Sequence, residues 1–121
     1  MDRVWKVFGS FALVICCFAC SKTHQLNMSW QDDLLVVSHG QVTKFSAQST
    51  EAAKLRRWFA EHRSGWEPYI ATATEGDLQI KTAIFTLNIR GEVAVLNYQY
   101  NVGQEQLRKT INPADFAFLR P

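Results

Sequence analysis

The sequence predicts an α+β domain: an antiparallel β-sheet with one main amphipathic helix, at about residues 49–63, packed on one face, and a short helical turn at the C-terminus. Two β-favouring runs, Leu78 to Ile89 and Glu92 to Tyr100, flank Arg90-Gly91, which is the pattern of a hairpin. Between Ser46 and Arg63, apolar residues recur at helical spacing. Gly40, Gly65, Gly76, Gly91 and Gly103 stand singly between short runs, as turn residues do.

Leu34-Leu35-Val36-Val37 and Val42-Thr43-Lys44-Phe45 surround Ser38-His39-Gly40-Gln41. With His39 and Gly40 as the loop, Leu34 pairs with Phe45 and Val36 with Thr43, so those side chains share a face. Whether this hairpin joins the same sheet as the later strands stays open. In the helix, Ser49 or Thr50 is the N-cap, Glu51 lies in the first turn and Gly65 falls just past the end. Ala52, Leu55, Phe59 and His62 form a stripe that Trp58 widens, giving the helix one face to bury against a sheet.

Tyr69 to Thr74 has β-formers and ends at the turn Glu75-Gly76-Asp77. Counting outward from Arg90-Gly91 pairs Ile89 with Glu92, Leu87 with Ala94, Phe85 with Leu96 and Ala83 with Tyr98, which makes these the core face. The opposite face, with Thr86, Asn88, Val93, Val95 and Asn97, is mixed enough for solvent or a partner. After a turn at Asn101-Val102-Gly103, Gln104 to Ile111 reads as a strand or a helix. Asn112-Pro113-Ala114-Asp115 begins a short helix, with Asn112 as cap and Pro113 first, and Phe116, Phe118 and Leu119 pin it to the domain.

The N-terminus has a different character. Arg3 and Lys6 precede an uncharged run from Val7 to Ser21. A membrane-spanning helix takes roughly 20 apolar residues, so the run fits an export signal better than a permanent anchor. All three cysteines, Cys16, Cys17 and Cys20, fall in this region, so the folded domain forms no internal disulfide and relies on its own core. The sequence Cys17-Phe18-Ala19-Cys20 resembles the lipobox of bacterial lipoprotein precursors, with Cys17 where that family usually has an aliphatic residue. The resemblance covers only the signal. It implies cleavage after Ala19, acylation of Cys20 and anchoring by several lipid chains. Residues 1–19 are then a signal peptide, 20–31 the lipidated N-terminus and tether, and 32–121 one α+β domain. Ser21, a non-acidic residue after the cysteine, implies the outer membrane of the cell envelope, with the domain facing the periplasm.

Losing Arg3, Lys6 and Asp2 with residues 1–19 leaves eleven Lys and Arg against ten Asp and Glu. Nucleic-acid binding calls for a clustered basic excess, which is missing. His24, His39 and His62 are scattered, so neither a metal nor a cofactor is expected. Ser38-His39 are neighbours pointing apart rather than a catalytic pair, and no Gly-x-Ser-x-Gly or phosphate-binding loop is present, so no enzyme activity is expected.

The segment Arg56 to Tyr69 concentrates Arg, Trp and Tyr, the residues enriched at binding hot spots. Trp58 and Trp66 read first as core. Should Trp66 or Tyr69 be exposed beside Arg56 and Arg63, the segment is a contact surface. Arg56, Arg63, Trp66 and Tyr69, with the loop residues His39, Glu75, Asp77 and Arg90, are the expected partner-binding residues. The general design, a small tethered domain without catalytic residues, resembles immunity lipoproteins that block effector enzymes. A protein partner, such as a toxin, is the leading expectation. The alternatives are a structural or assembly subunit of an envelope complex, and a carrier of a small apolar ligand with a pocket lined by Phe85, Leu96 and Tyr98.

Overall fold

The computed structural model describes residues 25–71, 76–100 and 103–120. The signal at 1–19, Cys20, the start of the tether and Glu75 lie outside the described residues. The fold is α+β, with strands β1 (Leu34–Ser38), β2 (Gln41–Phe45), β3 (Glu67–Pro68), β4 (Leu78–Lys81), β5 (Phe85–Arg90), β6 (Val93–Tyr100) and β7 (Gly103–Thr110), helix α1 (Thr50–Glu61) and a 3-10 helix (Pro113–Leu119). The strands form one antiparallel sheet in the order β2-β1-β4-β5-β6-β7-β3. Among the described residues no helix is long and apolar enough to cross a membrane.

The first hairpin has the expected register, Leu34 opposite Phe45 and Val36 opposite Thr43. His39 at φ 50° and Gly40 at φ 78° give its loop two left-handed residues, as a type I′ turn requires. The hairpin joins the main sheet through β1 on β4, with Val36 opposite Ile80. Gln104 to Ile111 resolves as a strand, β7.

The second hairpin differs from expectation by two residues. Arg90 lies opposite Val93, Ile89 opposite Ala94, Leu87 opposite Leu96 and Phe85 opposite Tyr98, so the loop is Gly91-Glu92. Gly91 takes φ 56°, and glycine suits the first central position of a two-residue loop where φ is positive. A two-residue slip preserves the alternation of faces, so Phe85, Leu87, Ile89, Ala94 and Leu96 still point into the core, whereas Ala83, expected opposite Tyr98, lies exposed in the turn before β5 and Glu92 is exposed in the loop. The run Leu78 to Ile89 is also two strands rather than one. The Thr82 hydroxyl accepts from the N–H groups of Ile84 and Phe85, turning the chain so that Lys81 lies opposite Thr86.

Helix α1 starts as expected, with the Ser49 hydroxyl accepting from the Ala52 N–H at 3.1 Å. It stops at Glu61, two residues before the expected end, with His62 as C-cap. Trp66 sets that end: its indole N–H donates to the His62 carbonyl at 2.6 Å, and Gly65, at φ 84°, lets the chain turn so that the ring is fully buried. The strand expected at Tyr69 to Thr74 pairs earlier, from Glu67, and continues as the Tyr69 N–H donates to Gln106.

The core lies between α1 and one face of the sheet. Ala52, Leu55, Trp58 and Phe59 of α1 pack with Leu34, Val36, Leu78, Ile80, Phe85, Leu87, Ile89, Ala94, Leu96 and Leu107, and Phe116 and Leu119 close one end. The N-terminal stretch belongs to this core. Leu26 and Trp30 are buried, Trp30 meets Phe85 edge-on, and the Leu26 N–H donates to the Arg63 carbonyl at 2.8 Å. Residues 26–31 are therefore part of the folded body and not tether, because apolar side chains at alternate positions 26, 28 and 30 pack inward.

Candidate functional site

The residues expected to bind a partner fall in separate places. Trp66 is wholly inside and serves the core, which corrects its assignment to a contact surface. Arg56 is structural as well: its guanidinium stacks over Trp30 at 4.8 Å and donates to the carbonyls of Ala47 and Trp30. Arg63 is exposed at the end of α1, away from Tyr69 on the far edge of the sheet. His39, Asp77 and Arg90 come together at one end of the sheet, since Ser38 pairs with Leu78 and Leu78 with Ile89. There the Asp77 carboxylate lies 3.5 Å from the Gly91 N–H.

Two surfaces collect functional side chains. One is a groove of about 320 Å³ between α1 and the 3-10 helix, lined by Lys54, Arg57, Trp58, Glu61, His62, Asp115 and Phe118. His62 stacks on Trp58 at 4.5 Å. Its Nδ1 lies 2.7 Å from the Trp58 carbonyl, which only accepts, so Nδ1 carries the proton and Nε2 faces Asp115 at 3.9 Å. Asp115 also accepts from the Trp58 indole N–H at 3.2 Å. The Trp58–Asp115 hydrogen bond ties the two helices together. No Ser, Thr or Cys lines the groove to serve as a nucleophile, and among the described residues no group of three or more His, Cys, Asp or Glu converges for a metal.

The other surface is the sheet face turned away from α1. The registers align Val42, Val37, Gln79, Asn88, Val95, Arg108 and Glu67 in one row across all seven strands, and Lys44, Leu35, Lys81, Thr86, Asn97 and Gln106 in the next. Among the described residues no element covers this face, and most of its central side chains are half-buried. Its amides are already paired: Gln79 donates to Asn88 at 2.8 Å, and Gln106 donates to the carbonyls of Tyr69 and Ala71. Arg108 lies over the Tyr69 ring, and Lys44 reaches Asp33 at 3.6 Å. A polar group with an internal partner loses less when water is removed than one that relied on water. The face is thus flat, held in place and inexpensive to cover.

Beside Phe85 and Tyr98 lies a pocket of about 130 Å³, lined mostly by polar residues including Thr82, Thr86, Asn97 and Gln104. Phe85 and Leu96 are buried, and Phe85 meets Trp30 and Phe59 edge-on at 5.4 Å each. Of the three residues expected to line an apolar pocket, Phe85 and Tyr98 border this one, and Leu96 lies in the core outside it. The open face was legible in the alternation of β5 and β6, but its extent was not, because it depends on strand order. In comparisons with family models, curated proteins and solved structures, the chain matches none.

Proposed function

We propose that this chain is an envelope lipoprotein, anchored through Cys20, whose domain binds a protein partner on the open face of its sheet. The observation that carries this reading is that face: a seven-stranded surface with apolar and pre-paired polar side chains and, among the described residues, no covering layer. Arg and Tyr, present here as Arg108 and Tyr69, are favoured where proteins meet. The chain's attachment fits the same use. Leu26 enters on the α1 side of the sheet, so a tether of the five residues 21–25 from Cys20 leaves the open face on the opposite layer. At ~3.3–3.6 Å per residue, that tether holds the body within about 20 Å of the lipid surface.

Blocking of an effector enzyme by the open face, in the manner of an immunity lipoprotein, is the form of binding we favour. The test is a photo-crosslinking residue at Thr86, on the open face, compared with one at Ala53 on the exposed side of α1, in cells expressing the full chain. Covalent capture of one protein at Thr86 and not at Ala53 is expected. Capture at Ala53 alone would remove the open face from the proposal. Replacing Cys20 by Ser should move the protein from the membrane to the soluble fraction, and retention at the membrane would remove the anchor.

A further inference from the structure

We propose that β2 is a dimer interface, in which the Gln41–Phe45 edge pairs antiparallel with the same strand of a second copy about a two-fold axis at Thr43. The two edges of the sheet are unlike. At one, β3 has only two residues, one of them Pro68, which carries no N–H. At the other, β2 has five residues, four of them exposed, and no proline. Natural edges are blunted by shortness, proline, bulges or charged side chains; β3 has the first two, whereas β2 has one such device, Lys44, whose ammonium is drawn to Asp33.

The same edge carries exposed aliphatic surface. Val42 is 62% and Leu35 37% exposed. They lie on the open face with Val37, which pairs with Val42. Surface of this kind at such an edge marks a site of association.

The chain's own register selects the partner. In a two-residue hairpin the residues beside the loop, Ser38 and Gln41, exchange hydrogen bonds, and bonded pairs then alternate. Gln41, Thr43 and Phe45 therefore bond to β1, while the N–H and C=O of Val42 and Lys44 point outward. Centring a two-fold axis on Thr43 places Val42 opposite Lys44 of the second copy, twice, and uses all five residues. Centring it on Lys44 would oppose two like charges, and centring it on Val42 would leave Phe45 unpaired. In the Thr43 register the Lys44 stem covers the exposed Val42 of its mate, with its ammonium drawn toward Asp33. Two seven-stranded sheets become one, and the aliphatic patches meet across the seam. Five residue pairs make a small contact, so association rises where chains are concentrated on a shared surface.

The test is Thr43→Cys in the full chain with Cys20 kept and Cys16 and Cys17 changed to Ser, in isolated membranes with diamide as oxidant and the same chain with Thr43 as the control. Across the axis Thr43 faces itself in a non-bonded pair, with Cα atoms ~4.5 Å apart, within disulfide reach. A disulfide-linked dimer is expected from Thr43→Cys and several-fold less from Gln41→Cys, whose mate is Phe45. Adding Val42→Arg, at an exposed position, sets Arg against Lys44 and should cut the trapped dimer several-fold while the circular dichroism stays unchanged. Val42→Pro, which deletes an outward N–H, should do the same. Absence of dimer from Thr43→Cys, equal trapping at Gln41→Cys, or trapping indifferent to both Val42 changes would overturn the proposal.

Discussion

Trp66 provides the sharpest test of the boundary between core and surface in this protein. Its ring is fully buried, contacts Trp58 edge-on at 6.1 Å and donates to the carbonyl that ends α1. Trp66→Phe keeps an aromatic ring but leaves the His62 carbonyl without its donor, a loss of about 1–3 kcal/mol. The smaller ring leaves unfilled space, adding ~1 kcal/mol at roughly 24 cal/mol per Å³ of residual cavity. Together the change should cost about 2–4 kcal/mol, and Trp66→Ala about 3–5 kcal/mol or more. Since 1 kcal/mol moves the melting point of a domain this size by roughly 4–8 °C, Trp66→Phe should lower it by on the order of 10–20 °C. Thermal melts of the full chain in detergent, followed by far-ultraviolet circular dichroism, read this directly. A change within about 0.5 kcal/mol, as for ordinary surface positions, would refute the burial of Trp66 and return the Arg56 to Tyr69 segment to the contact surfaces.

Arg56→Met should cost about 1–3 kcal/mol, because the Trp30 and Ala47 carbonyls lose a charged donor and Trp30 loses its stacked cation; an unchanged urea midpoint would count against this. Gly76→Ala should destabilise by about 1–3 kcal/mol, since a Cβ there collides with the Ile89 carbonyl and pushes the start of β4 off β5, and hydrogen exchange at β4 should quicken. His39→Asn should raise stability by up to ~1 kcal/mol, because Asn-Gly suits a loop with two positive φ angles better than His-Gly does. A lower melting point would show that the imidazole makes a contact worth more than the turn.

The first hairpin was legible because its register follows from one loop, His39-Gly40, and a single alternation. The second was misplaced by two residues because Arg90-Gly91 and Gly91-Glu92 both read as two-residue loops, and only the backbone angle at Gly91 separates them. The face assignments survived since a slip of two keeps every side chain on its side. The split at Thr82 was hidden for a related reason: Leu78 to Ile89 keeps good strand residues throughout, and the fold back rests on one hydroxyl. Leu26 and Trp30 were missed because three apolar residues at alternate positions among polar neighbours carry little signal until a body exists to receive them.

By itself, the sequence determined the α+β class, a helix start at Ser49 or Thr50, the 3-10 helix start at Asn112 and the core face of β5 and β6. Each of these is a local matter of period, capping or turn chemistry, settled within a few residues. Tertiary structure alone decided that the first hairpin extends the sheet through β1 on β4, that Trp66 and Arg56 work inward, and that no described residue covers one face and one edge. Those facts concern residues far apart in the chain. Which strands become neighbours depends on how all the apolar faces can be buried together, and no local pattern records that choice.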